Sequence, residues 1–336
     1  MKQKILVVGP SWVGDMVMAQ SLFMSLRGHQ PEAAIDVLAP GWSLPLIARM
    51  PEVRRGIEMP VAHGEFGFGK LRRLGQTLHA ESYNRAIVLP RKLKAALVPW
   101  FARIPRRTGF RGEARFGLIN DMRALDETLL TQTVQRFVAL GLEEAPHTVP
   151  AVPRPRLRVD AENGNRVLQV LGLTRDRPIV ALMPGAEYGP AKQWPPASYA
   201  ELASQLRERG FAIWVLGSAK ETGLGEFIRH ASGDIVQNLC GLTQLVDTVD
   251  LLALCHAAVT NDSGLMHVAA AVGIPLVPIY GSSTPDYTPP LSDAARVLYL
   301  RLACSPCFER NCPLGHTNCL HQIPVERVLE LLPAAH

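Results

Sequence analysis

The stretch Val259-Thr260-Asn261-Asp262-Ser263-Gly264-Leu265-Met266-His267 sets a carboxylate, a hydroxyl, a bare backbone position and an imidazole close together. Such a set suits an anionic, hydroxyl-bearing ligand. Asp262 and Ser263 can cap a following helix, Gly264 lets a ligand approach the backbone, and the amides at a helix start favour a diphosphate. Capping accounts for Asp262 or Ser263, but not for Gly264 and His267 added one turn apart on the same end. A second carboxylate, Asp15, follows Gly9-Pro10-Ser11-Trp12-Val13-Gly14. It is placed to accept a proton from a substrate hydroxyl, although complementing a helix dipole is the plainer reading of Asp15 alone. A third group is Lys192, in the Gly- and Pro-rich run Pro184-Gly185-Ala186-Glu187-Tyr188-Gly189-Pro190-Ala191-Lys192-Gln193-Trp194-Pro195. Its ammonium suits phosphate charge as a point cation. Glu221, in Gly217-Ser218-Ala219-Lys220-Glu221, can accept hydrogen bonds from a ribose. Neither the glycine spacing of a dinucleotide fingerprint nor the Gly-Lys-Ser/Thr of a phosphate-binding loop is present.

Each of these loops follows an apolar run and precedes a helical pattern. Ile5–Val8 reads as a buried strand and Met16–Leu26 as a helix; Leu251–Cys255 and Ala257–Val259 lead into the Asp262 turn. A small-residue helix then ends at Gly273, and Ile274–Gly281 reads as another strand. Upstream, Ala161–Leu171 reads as a helix, Ile179–Met183 as a strand, Pro195–Arg209 as a helix and Ala212–Leu216 as a strand. Alternation of this kind makes an α/β chain with parallel sheets, whose ligand loops lie at the carboxyl ends of the strands.

At 336 residues and 47% hydrophobic content, two domains with substantial cores are expected. The Pro-rich run His147–Pro155 reads as a stiff linker, giving domains 1–154 and 155–336. No apolar run spans a bilayer, since His267, Pro275 and Pro278 interrupt Leu265–Tyr280. Four apolar residues before Gly9-Pro10 do not make a signal peptide, so a cytoplasmic protein is expected.

Charge is uneven across the linker. Residues 1–154 hold 21 Lys+Arg and 13 Asp+Glu, a net of +8, while the remainder is −3, for a total of +5. The excess gathers in Lys70, Arg72, Arg73, Arg91, Lys92, Lys94, Arg103, Arg106, Arg107, Arg111 and Arg115. No aromatic platform or nucleic-acid module accompanies it, so no nucleic-acid partner is expected. A phosphorylated acceptor or an anionic membrane surface fits the cluster, with Arg106, Arg107 and Arg111 in one short segment as candidate acceptor ligands. Separately, Cys304, Cys307, Cys312 and Cys319 lie within 16 residues, near His316 and His321. Clustered cysteines in a reducing compartment indicate metal more readily than disulfides, and four thiolates would make a structural zinc site. Free thiols are the alternative. Cys240 and Cys255 sit in apolar surroundings and read as core.

The Gly9–Met16, Pro184–Pro195 and Asn261–His267 segments together resemble the bacterial ADP-heptose:lipopolysaccharide heptosyltransferases, closest to the type II members of that family. The resemblance covers nearly the whole chain, and the long Lys192 loop is its most specific part. It implies a GT-B fold, two Rossmann-like domains facing across a cleft, with acceptor held mainly by the first and nucleotide-sugar by the second. It further implies an inverting transfer of heptose from ADP-L-glycero-D-manno-heptose to heptosyl-Kdo-lipid A, with no cofactor required for catalysis. Contact with the cytoplasmic face of the inner membrane would follow. Residue by residue, Asp15 matches the general base and Lys192 a contact to the donor phosphates. Asp262, Ser263, Gly264 and His267 match the donor motif, with Ser263 standing where some relatives have Thr. Gly185 and Glu221 are further donor-binding matches. Alternatives are a type I or III member with another acceptor, or a non-catalytic nucleotide-sugar or nucleic-acid binding protein.

Overall fold

The alternation of apolar runs and helices resolves into two six-stranded parallel sheets. The computed structural model describes residues 3–62 and 64–335, and the chain divides into two compact units, Met1–Pro155 and Arg156–His336. The first unit contains β1 (Lys4–Val8), β2 (Ala34–Ala39), β3 (Val53–Glu58), β4 (Arg85–Val88), β5 (Arg106–Phe110) and β6 (Asp121–Arg123), ordered β3-β2-β1-β4-β5-β6. The second contains β7 (Ile179–Met183), β8 (Ala212–Val215), β9 (Val236–Asn238), β10 (Ala257–Asn261), β11 (Leu276–Tyr280) and β12 (Leu298–Tyr299), ordered β12-β11-β10-β7-β8-β9.

Counted from the first strand of each unit, both orders read 3-2-1-4-5-6. The chain starts mid-sheet, works to one edge, then returns to the middle and builds the other. Every residue of β7, β10 and β11 is buried. Successive strand side chains point to opposite faces, so both faces of this sheet are covered, as continuous apolar runs require. In the second unit, Trp194, Tyr199 and Leu202 join Val180 and Leu182 in one core cluster. In the first, Leu6, Val8 and Val88 pack with Leu71, Leu78 and Val98.

One detail departs from the sequence reading. Leu251 and Leu252 end a helix, Leu245–Leu252, and do not belong to the approach of β10. A buried helix and a buried strand are both apolar runs; what distinguishes this one is a reciprocal capping box between Gln244 and Asp247. The run His147–Pro155 has neither helix nor strand, and it is not adrift. Ser21, on the helix Val13–His29, donates its hydroxyl to the Pro153 carbonyl at 2.6 Å.

Candidate functional site

Reversal of strand order leaves a crevice beyond the carboxyl ends of the two strands at the switch, β7 and β10 in the second unit. The loops after these strands carry Lys192 and Asp262. One buried side chain joins them. The Asn261 Oδ1 accepts from the Trp194 amide at 3.0 Å and the Tyr199 hydroxyl at 3.1 Å. Its Nδ2 donates to the Pro184 carbonyl at 2.6 Å. Both ends of the Pro184–Trp194 loop therefore hang on a single amide at the end of β10.

Within that loop a 3-10 turn, Pro190–Lys192, aims Lys192 at the Asp262 turn. Its Nζ lies 2.5 Å from Asp262 Oδ2 and 5.1 Å from the centre of the Tyr188 ring. The Ser283 hydroxyl donates to the same carboxylate oxygen at 2.5 Å. Asp262 thus does not cap the helix that follows. That helix, Gly264–Val272, has Ser263 at its N-cap position without a side-chain bond to the helix amides; the Ser263 hydroxyl instead meets that of Thr260 at 3.5 Å. The Asp262 carboxylate is taken up by the Lys192 ammonium and the Ser283 hydroxyl, so the expected capping by Asp262 and Ser263 gives way to an ion pair beside a helix start. Positive dipole, ammonium and partly exposed Gly264 share one mouth, which suits a diphosphate.

His267, one turn inside the helix, is 5% exposed. Burial pushes its pKa down to about 4, with Lys192 adding to the effect and Asp262 opposing it. It is neutral at pH 7 and brings a hydrogen-bonding imidazole without charge. Gly185 and Glu221 face each other: a side chain at Gly185 would meet the Glu221 carboxyl carbon at 2.9 Å. Glu221 Oε2 accepts from the Ser218 amide and hydroxyl, at 2.6 and 2.5 Å. One oxygen of the proposed ribose acceptor therefore serves its own turn.

In the first unit, Asp15 occupies the first turn of the helix Val13–His29, directly after β1 and at the β1/β4 reversal. It is partly buried. The arginines are arranged otherwise than expected. Arg106 and Arg107 are neighbours on β5, so their side chains leave opposite faces. Arg106 pairs with Asp121 at 3.0 Å and with Glu143. Arg107 donates to the carbonyls of Leu118 and Ile104. Arg111 is exposed. Arg106, Arg107 and Arg111 therefore do not converge on one patch. Arg115, 1% exposed, donates to the carbonyls of Pro90 and Phe110. It too leaves the surface cluster, since strand ends have orphan carbonyls and a guanidinium has five donors.

All six cysteines are free thiols. Cys304, Cys307, Cys312 and Cys319 line one cavity of about 20 Å³ together with His316 and Ser282. Among the described residues, no three His, Cys, Asp or Glu side chains stand at metal-ligand spacing. Backbone amides, that of Thr317 first and then those of Leu314, His316 and Gly315, pull the Cys312 thiol below its usual range. Cys319 is pushed up by burial and by the other three sulfurs. Cys240 and Cys255 are buried.

Sequence reasoning passed over Ser283 and the role of Asn261. Ser283 had a readable signal: it follows β11 as Asp262 follows β10, at the same edge of the sheet. Asn261 immediately precedes Asp262, but its partners lie more than 60 residues away.

A family model described as glycosyltransferase family 9 (heptosyltransferase) matches residues 71–318. The chain is 47% identical to lipopolysaccharide heptosyltransferase 2 of Escherichia coli K12, over 98% of each sequence. It is equally similar to lipopolysaccharide heptosyltransferase 2 of Salmonella typhimurium, covering 98% of this chain and 97% of that one. Among solved structures, the ADP-heptose LPS heptosyltransferase II of E. coli matches with a TM-score of 0.87 and 45% identity, over 98% of this chain and 97% of that chain.

Proposed function

This chain belongs to glycosyltransferase family 9, the heptosyltransferases, and from that premise we propose that it transfers heptose from ADP-L-glycero-D-manno-heptose to heptosyl-Kdo-lipid A of the lipopolysaccharide inner core. The observation that carries the donor half is the Lys192–Asp262–Ser283 cluster beside a helix start at the β7/β10 reversal. There Lys192 turns from Asp262 to the donor diphosphate, while Ser283 keeps the carboxylate hydrogen-bonded. His267 supplies neutral polar contact, Gly264 lets the nucleotide approach the backbone, and Gly185 gives Glu221 room to stand beside it.

The acceptor hydroxyl attacks the anomeric carbon as the bond to the diphosphate oxygen breaks. Asp15 takes the hydroxyl proton, ADP leaves with the bonding electron pair, and one displacement inverts the anomeric centre. Lys192 and the amides starting the helix Gly264–Val272 stabilise the charge on the departing ADP. Arg111, exposed beyond β5, is the acceptor-facing cation, and Arg106 and Arg107 support it by holding the β5–β6 edge.

The reaction is expected at the cytoplasmic membrane face. Phe66, Phe68 and Trp100 are each about half exposed. They form a chain of rings through Phe101, with centroid separations of 6.4, 5.4 and 4.9 Å. Exposed Lys70, Arg72 and Arg73 lie on the helix that starts at Phe68. Aromatic rings beside basic side chains suit the interface of an anionic bilayer.

Purified protein offered ADP-heptose with truncated lipopolysaccharides carrying zero, one or two heptoses should act on the one-heptose acceptor. Asp15→Asn should lose roughly two to four orders of magnitude in turnover with donor binding retained. Product on the heptose-free acceptor would reassign the step, and a fully active Asp15→Asn would remove the base.

A further inference from the structure

From Leu300 to Thr317 the chain runs 18 residues without a helix or strand. Segments of that length rarely lack structure inside a compact domain unless something holds them. Apolar burial holds only its start, where Leu302 packs on the core, since Phe308 and Leu314 are 46% and 61% exposed. What the segment does contain is Cys304, Cys307 and Cys312, which meet Cys319 from the next short helix around the cavity of about 20 Å³. That volume accommodates one water-sized body.

A second observation comes from the opposite wall. Ser282 lines the same cavity, is 1% exposed, and its hydroxyl oxygen has no hydrogen-bond partner among the described residues. A buried hydroxyl without a partner beside four sulfurs calls for an acceptor that uncharged thiols supply poorly and thiolates supply well. The Thr317 amide already points at Cys312 Sγ from 3.4 Å. Amide and hydroxyl donors around sulfur are what a thiolate-rich metal site needs in its outer shell.

We infer that Cys304, Cys307, Cys312 and Cys319 bind one thiophilic divalent ion as a closed tetrahedral tetrathiolate, with zinc the expected ion, and that this ion braces the donor-phosphate loops. Each thiol releases its proton to solvent on binding, and side-chain rotation draws the four sulfurs inward to the ion. Ser282 then donates to a bound thiolate. The bracing follows from where the segment is tied. The Ser305 hydroxyl donates to the Gly281 carbonyl at 2.5 Å, and the Phe308 amide to the Ser282 carbonyl at 2.6 Å, one residue before Ser283. The Tyr188 hydroxyl donates to the Phe308 carbonyl at 2.5 Å, and the Ala191 amide to the Arg310 carbonyl at 3.1 Å, one residue before Lys192. Both partners of Asp262 are thus carried on loops fastened to the cysteine segment. The bracing rests on the donor assignment of Lys192; the metal itself does not.

The test uses the full chain, expressed with added zinc, purified under reducing conditions and analysed for zinc and iron by mass spectrometry. One ion per chain is expected in the wild type and in Cys255→Ala, and almost none in Cys307→Ser/Cys312→Ser. Should the double variant fail to fold, titration of metal-free wild type with cobalt(II) gives an independent reading. An intense sulfur-to-cobalt charge-transfer band saturating at one equivalent supports the site. Metal at background in the wild type, with no such band, overturns it. Stripping the ion should raise the donor KM by about tenfold with the acceptor KM nearly unchanged. An unaltered donor KM in stripped protein would overturn the bracing.

Discussion

The Lys192 ammonium has a carboxylate 2.5 Å away, so in the proposed assignment donor binding is an exchange of counter-ions. The outcome depends on Ser283, which leaves Asp262 a hydrogen bond when Lys192 turns. Lys192→Ala should lower kcat/KM for the donor by roughly a hundredfold, while the acceptor KM stays near its wild-type value. Initial-rate kinetics varying each substrate separate the two, and an unchanged donor term would place the diphosphate elsewhere. His267 gives the site a pH signature. Its folded pKa of about 4 lies below the value of about 6.5 for an unfolded histidine. Between these values the unfolded chain binds more protons, so stability rises with pH. The contribution is complete above about pH 6.5 and is lost as pH falls toward 4, by up to roughly 3 kcal/mol. Urea unfolding near neutrality and at about pH 5 should show a smaller difference in His267→Gln than in the wild type. Equal differences would remove His267 from the acid sensitivity.

At the scale of elements, Asn261 fastens the Pro184–Trp194 loop to β10. Asn261→Ala leaves two donors and a carbonyl unpaired in a buried place, a destabilisation of about 3 kcal/mol. Because the loop carries Lys192, the donor KM should rise as well; a stability loss with unchanged kinetics would limit Asn261 to a packing role. The elements themselves were legible in the sequence. Ala161–Leu171 and Ile179–Met183 read from their apolar periods fall on the same residues in the structure. Periodicity is local, and so is helix or strand. The pairings at the site were not legible in this way. Asp262 met Lys192 and not its own helix because β7 and β10 are neighbours across the strand reversal, a fact of topology that spacing along the chain does not hold. The partners of Arg106 and Arg107 were hidden for a related reason. A guanidinium that closes orphan carbonyls looks, in sequence, like one that awaits a phosphate.

For the whole molecule, this alters what the charge of the first 154 residues means. Arg85, Arg115 and Arg123 are at most 6% exposed and donate to backbone carbonyls. Part of the net +8 is therefore interior scaffolding, and the electrostatic face offered to an anionic partner is smaller than the count. No helix among the described residues is long and apolar enough to cross a membrane. The proposed surface contact rests on the exposed rings and cations near Phe68. Phe68→Ser/Trp100→Ser should sediment with vesicles of phosphatidylglycerol and phosphatidylethanolamine less than the wild type, while its rate on a detergent-dispersed acceptor is retained. Equal sedimentation would assign those rings to packing alone.

The repeated strand order also bears on how the chain is made. In each unit the strand synthesised first, β1 or β7, lies at the centre, and later strands add outward to one edge and then the other. A nascent chain leaving the ribosome can therefore lay each new strand beside one already placed. The sixth strand of the first sheet ends at Arg123, and the first strand of the second begins at Ile179. One sheet is complete, with its edges set, before the next has a centre to grow from, so strands of the two halves never compete for the same neighbour during synthesis.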